Sequence, residues 1–204
     1  MTHMSRTPNS RKEDTHERIV DAAARVLRRD GYAGVGVADV MKEAGLTHGG
    51  FYAHFKSRDA LLVEALERAG RDSAAAVMQA AERRAARGVS RFRSFVETYL
   101  AEGLLASLEV GCPVAALGAE MPRQAAAVRE ASALRVTRLV AAIEAALPEP
   151  SRGAASVVAG TLVGTLQLAR TLGDNADGRA LLAAARKALI AQYDAPSASS
   201  STSH

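Results

Sequence analysis

Gly45 stands between two short segments with apolar stripes, and that one glycine limits what residues 36–55 can become. Ahead of it, Val37, Val40, Met41 and Ala44 recur at three- and four-residue spacing, the mark of one buried helical face. A glycine just past such a stripe is the expected left-handed stop, so Ala44-Gly45-Leu46-Thr47 reads as a tight turn. Beyond the turn, Leu46 to Phe55 has room only for a very short helix. Thr47 is placed to cap it through its hydroxyl, and Phe51 and Phe55 fall four apart on one narrow face. His48, Gly49, Tyr52 and His54 point away from that face. Two adjacent glycines, Gly49 and Gly50, cost roughly 1 kcal/mol each relative to alanine in a helix. Close approach of a bulky partner to the backbone accounts for them; helix stability does not. Two short helices joined in this way form a helix-turn-helix, whose second helix enters the major groove of DNA while the first lies across the backbone.

The pattern extends well past the motif. Gly31-Tyr32, Val37-Ala38-Asp39-Val40, Ala44-Gly45-Leu46-Thr47, Phe51-Tyr52, His54-Phe55 and Lys56-Ser57-Arg58-Asp59-Ala60-Leu61-Leu62 follow one another in order. Between Glu17 and Leu62 the chain therefore resembles the DNA-binding domain of TetR/AcrR-type transcriptional regulators. The remaining two thirds resembles that family only in size and helical character. The resemblance implies an all-α fold, with an N-terminal three-helix helix-turn-helix domain followed by a larger helical ligand-binding and dimerisation domain. It also implies base-edge and groove contacts from His48, Gly49, Tyr52 and His54, and backbone contacts from Thr47, Lys56 and Arg58.

The chemistry of these positions suits those roles. A tyrosine hydroxyl can donate to a phosphate and a histidine to a guanine or a phosphate, while Gly49 and Gly50 leave room for the sugar-phosphate wall. Two bland alternatives stand beside this: Tyr52 as a half-buried core residue, and His54 packed against the first helix. His48 stands where many relatives carry lysine, proline or a small residue, a departure that bears on the operator sequence.

Residues 1–58 hold ten Lys/Arg against seven Asp/Glu, whereas the rest hold sixteen against fifteen, so the formal charge of +4 is concentrated at the reading head. The single cysteine leaves no internal disulfide and no cysteine cluster for zinc. No phosphate loop, closely spaced metal pair or convergent catalytic constellation is present, so no catalytic residue, metal or cofactor is expected. No run approaches the roughly 18 apolar residues of a membrane span, and the polar start lacks a signal pattern, so a cytoplasmic protein is expected.

Along the chain, residues 1–11 read as a disordered arm, either reaching a minor groove or simply frayed. The DNA-binding domain follows over 12–60, with Asp14 and Glu17 as a capping box and Ile19, Ala23, Val26 and Leu27 as the buried stripe of its first helix. Residues 61–193 form the helical ligand-binding and dimerisation domain, entered by a long helix that Ser57 caps, and 194–204 a disordered tail. Within the larger domain, Phe92, Phe95, Val96 and Tyr99 share a face on a helix capped by Ser90, a core stripe that would also supply aromatic walls to a pocket. Pro113 starts a short helix, and Val128, Val136, Leu139, Val140, Ile143 and Leu147 are read as the inward face of a longer one. Ser151 is read as the cap of the helix after it.

The ligand-contact candidates are Phe92, Phe95, Tyr99, Cys112, Leu139 and Leu166. Cys112, just before Pro113, is either a sensor of oxidants or electrophiles favoured by free helix N–H groups or a buried inert thiol. The last two long helices are apolar over a wide arc, which calls for more than one neighbour. The resemblance implies that they pack on the same pair of a second subunit, and Val158, Leu162, Leu166, Leu182 and Leu189 are the candidate dimer contacts. The function expected from the whole is a homodimeric regulator of double-stranded operator DNA, a repressor released by a small-molecule inducer or by modification of Cys112. The alternatives are an activator of the same fold and a helical interaction protein without sequence-specific DNA binding.

Overall fold

The computed structural model describes residues 8–194, so most of the expected arm and nearly all of the expected tail lie outside the described residues. Every regular element among the described residues is helical. Helix α1, Pro8–Gly34, begins ahead of the Asp14-Glu17 box, and its helical backbone breaks at Gly31, where φ is 73° and ψ is −178°. Ile19, Ala23, Val26 and Leu27 are all buried, as the stripe predicts. Helix α2, Val37–Glu43, ends as expected: Gly45 adopts φ 69°, its N–H donates to Lys42 O at 2.9 Å, and Leu46 N–H donates to Met41 O at 2.8 Å. That pair of bonds is the six-to-one and five-to-two closure of a Schellman turn.

The segment His48–Ala53 is a short three-ten coil, and helix α3 runs from Arg58 to Ala85. Ser57 Oγ caps α3 by accepting from Ala60 N–H at 3.1 Å. Leu61, Leu62, Ala65, Leu66 and Ala69 on α3 are fully buried. Then follow α4 (Arg91–Tyr99), α5 (Gly103–Ala106), α6 (Pro113–Leu117), α7 (Ala126–Ala146), α8 (Ala155–Leu172) and α9 (Ala176–Tyr193). Ser90 Oγ caps α4 through Arg93 N–H at 3.0 Å, and Pro113 is at the start of α6 as predicted.

The chain divides into two compact units. The first joins the residues through Ala74 with Ser107–Thr137, so α6 and the start of α7 belong with the helix-turn-helix. Its core holds Ile19, Leu27, Tyr32, Met41, Phe51, Leu61, Leu62 and Leu66. The second joins Ala75–Ala106 with the residues from Arg138 onward, around Phe92, Leu100, Ile143, Val158, Leu162, Leu166 and Leu182.

Two readings of the sequence are corrected. Val136 is exposed, because the buried stripe of α7 runs through Val128, Ser132, Arg135 and Ile143. Two polar residues occupy the inward register, and apolar periodicity cannot see them. Ser151 lies inside a three-ten turn, Glu149–Ala154, and α8 starts after it with no side-chain cap.

Candidate nucleic-acid interface

The recognition segment is held from behind by aromatic packing. Phe51 and Phe55 are buried, and their rings stack with centroids 5.5 Å apart. His16 of α1 stacks on Phe55 at 4.6 Å, and its Nε2 lies 2.6 Å from Glu64 Oε2 on α3. His16 thus links three elements. It carries no signal in the sequence, since a histidine on a mixed helical face has no periodic partner.

With that face fixed, the other expected residues separate cleanly. Thr47, His48, Gly49, Tyr52 and Lys56 are exposed, and Tyr52 is 73% exposed with its ring edge-on to Phe51. The half-buried reading of Tyr52 is therefore set aside. Thr47 has the extended backbone of a cap, but its side chain makes no capping bond.

Gly49 and Gly50 are not held to glycine by their own surroundings. Neither has a positive φ. A Cβ built at Gly49 would meet nothing within 4 Å, and one at Gly50 would touch only Met41 Cε at an ordinary 3.6 Å. Nothing within the described residues requires glycine at 49, and the backbone there is open to close approach.

His54 and Arg58 face inward. The His54 ring is half-buried, tilted 5.9 Å from His16, and its Nδ1 is buried with no hydrogen-bond partner. Desolvation first, then the charges of His16 and Lys12, push its pKa below the ordinary value. Packing against the first helix is thus where the structure places it. Arg58 Nε donates to Val35 O at 2.8 Å and its Nη2 donates to Tyr32 O. Its guanidinium is thereby occupied inside the head, whereas the expectation from sequence put it on the DNA backbone. Arg18, which the sequence did not single out, donates to Ala44 O at 2.6 Å and so satisfies the carbonyl at the turn.

Outside the head, Phe92, Phe95 and Tyr99 are buried in the second unit, the rings of Phe95 and Tyr99 nearly parallel with centroids 6.0 Å apart. Leu166 is buried and Leu139 half-buried in the same unit, whereas Cys112 is buried in the first, as the residue before α6. Val158, Leu162, Leu166, Leu182 and Leu189 are all buried within the single chain. The outward face of α8 carries Val157, Gly160, Thr161 and Leu168 instead. Among the described residues no helix is long and apolar enough to cross a membrane.

Comparisons with known proteins agree with this geometry. Residues 19–65 match the TetR family of bacterial regulatory proteins. The chain is 39% identical over 51 residues to the HTH-type transcriptional regulator YerO of Bacillus subtilis, a match covering 25% of this chain and 18% of that protein. A longer match, 28% identical over 172 residues, covers 78% of this chain and 85% of the HTH-type transcriptional regulator Rv0196 of Mycobacterium tuberculosis. In three dimensions the chain is similar to the reduced form of NemR from E. coli, with TM-score 0.69 and 20% identity over 90% of this chain and 99% of that one.

Proposed function

From the premise that the chain belongs to the TetR/AcrR family of helix-turn-helix regulators, we propose that it is a cytoplasmic homodimer that represses a promoter by occupying a palindromic operator. The observation that carries this is the exposed surface of Thr47, His48, Gly49, Tyr52 and Lys56, where Gly49 has no reason inside the protein to be glycine. His48 and Tyr52 supply donors for base edges and phosphates, and Lys56 an exposed positive charge. Two such heads would read half-sites about one helical turn apart or a little more.

The dimer is assigned to the outward faces of α8 and α9. A Cβ at Gly160 or Gly164 would meet nothing within 4 Å, and α9 turns Ala180, Ala184, Ala188 and Ala191 outward. Small residues on two neighbouring helices let the backbones of a second copy come close. Val157 and Leu168, 65% and 61% exposed, are the large apolar groups such contact would cover.

Release follows from a ligand that binds the two conformations unequally. Phe92, Phe95, Tyr99, Leu139 and Leu166 suit an apolar inducer. Cys112 is a second trigger: it is the buried N-cap residue of α6, its side chain makes no capping bond there, and as a thiolate it would add to an electrophile.

The test is binding of wild type and Cys112→Ser to DNA from upstream of the protein's own gene, with and without a mild thiol-reactive electrophile. Footprinting of a palindrome by wild type is the expected outcome, with release by the electrophile that spares Cys112→Ser. Release of both variants, or of neither, removes the Cys112 trigger. An intact dimer that binds none of this DNA identifies instead a helical interaction protein.

A further inference from the structure

Gly31-Tyr32 opens the pattern by which the head is identified, and its surroundings give it a role of its own. At Gly31 the backbone turns out of the helical region, and a Cβ there would come 2.6 Å from Glu120 Oε1. The glycine is thus required by its positive φ, and a side chain there would also have to push the Glu120 carboxylate aside. The other oxygen of that carboxylate, Oε2, accepts from Tyr32 N–H at 3.1 Å. Glu120 belongs to the segment that follows α6, eighty-eight residues from Tyr32 in the chain.

Tyr32 itself is 2% exposed, and each of its polar groups is taken by a different element. Its N–H goes to Glu120, and its hydroxyl lies 3.2 Å from Ser132 Oγ on α7. Its carbonyl accepts from Arg58, the first residue of α3, which follows the recognition segment after only four residues. A second pair runs beside it: Arg29 Nη1 donates to Glu109 at 2.6 Å, and its Nη2 to Glu43 of α2 at 3.3 Å. All of these residues lie within the first compact unit.

We propose that Glu120 is a positioning residue for operator binding: its carboxylate fixes the Gly31-Tyr32 turn, and Tyr32, through Arg58, fixes where the recognition segment stands. The proposal rests on the DNA-binding reading for its functional consequence, but its mechanical content does not. Glu120 touches no DNA. Its effect passes from a carboxylate to a backbone amide, through the same peptide chain to a carbonyl, and so to the guanidinium that anchors the start of α3. Glutamine keeps an acceptor oxygen at this position, whereas alanine leaves the Tyr32 amide without it.

The experiment compares full-length wild type, Glu120→Ala, Glu120→Gln and Glu130→Ala, the last a control on the exposed side of α7. Amide hydrogen exchange is read over residues 47–55, alongside operator affinity by fluorescence anisotropy at several salt concentrations. Glu120→Ala is expected to speed exchange of that segment and to weaken operator binding by about tenfold, the loss of one hydrogen bond to a buried amide. The salt dependence stays as in wild type, because no phosphate contact is removed. Glu120→Gln is expected to restore most of both signals, and Glu130→Ala to change neither.

Unchanged exchange over 47–55 in a folded Glu120→Ala overturns the proposal. So does a loss that spreads evenly over the molecule, or one that glutamine fails to rescue. If wild type binds no operator while the exchange pattern appears as expected, the positioning stands and the DNA-binding reading fails. If Glu120→Ala does not fold, Glu120→Gln against the double variant Glu120→Gln/Ser132→Ala decides. The carboxamide is then the remaining tie to the segment after α6, and 47–55 must loosen relative to wild type while α8 and α9 do not.

Discussion

Tyr52 and Gly49 are neighbours on one surface, and the physics of each predicts a different kind of variant. Tyr52 is almost free of intramolecular contact, so Tyr52→Phe should leave stability unchanged while weakening operator binding by about 1 kcal/mol through a lost charge-assisted bond. Isothermal titration with the upstream DNA and a urea melt separate the two effects. Gly49→Ala has space for its methyl group and should fold as well as wild type or up to about 1 kcal/mol better. It should nonetheless lose operator affinity, measured by the same titration; retained affinity would mean that no partner comes close to that backbone. His54 gives a pH dependence of stability. Burial and the charges of His16 and Lys12 lower its folded pKa below 6.5, so the unfolded chain binds the proton more readily. Stability is therefore full above the unfolded value and falls as pH drops from about 6.5 toward the lowered folded pKa. Urea midpoints at pH 7.5 and 5.5 should differ more for wild type than for His54→Asn.

At the level of elements, what holds α1, α3 and α7 together in the first unit is partly polar. Arg28 of α1 is buried and donates to Ala69 O at 3.3 Å, and burial lowers its pKa despite the opposing charge of Asp72. Arg135 of α7 is 6% exposed, pairs with Glu67 at 3.3 Å and lies over Gly70. A Cβ at Gly70 would fall 2.1 Å from Arg135 Nη1 and 2.8 Å from its Cδ. Gly70→Ala should therefore destabilise by about 1–3 kcal/mol, the range for overpacking a filled site, even though alanine is the better helix former. Arg135→Met in the same chain should return part of that loss, giving a coupling visible in a double-mutant cycle of urea melts. Equal effects of Gly70→Ala in both backgrounds would show that the guanidinium gives way freely. The helix ends follow from local chemistry: Ser57, Ser90 and Asn175 each accept a backbone N–H at 3.0–3.1 Å, as their residue types suggest.

The whole molecule, as proposed, works as a pair. Gly164→Leu on α8 adds a side chain at a half-buried position whose Cβ meets nothing within 4 Å, so the variant should fold normally. In sedimentation it should run as a monomer, and it should bind a full palindrome at least about 100-fold more weakly, because two half-sites no longer share one ligand. A dimer of unchanged strength would move the interface elsewhere. The sequence by itself determined the helices, the Ser57 and Ser90 caps, the Gly45 turn and the outward placement of His48, Gly49 and Tyr52. Each of these depends on spacing within a few residues, on a backbone angle or on a cap, and such information is local. Tertiary structure alone decided that Arg58 is an internal clamp, that His54 turns toward His16, that Ser132 and Arg135 lie inside α7, and that Val158, Leu162 and Leu189 belong to the core of one chain. Those outcomes depend on which element arrives opposite a given face. A charged or amphipathic side chain meets either solvent or a carbonyl there, and no periodicity in the sequence distinguishes the two.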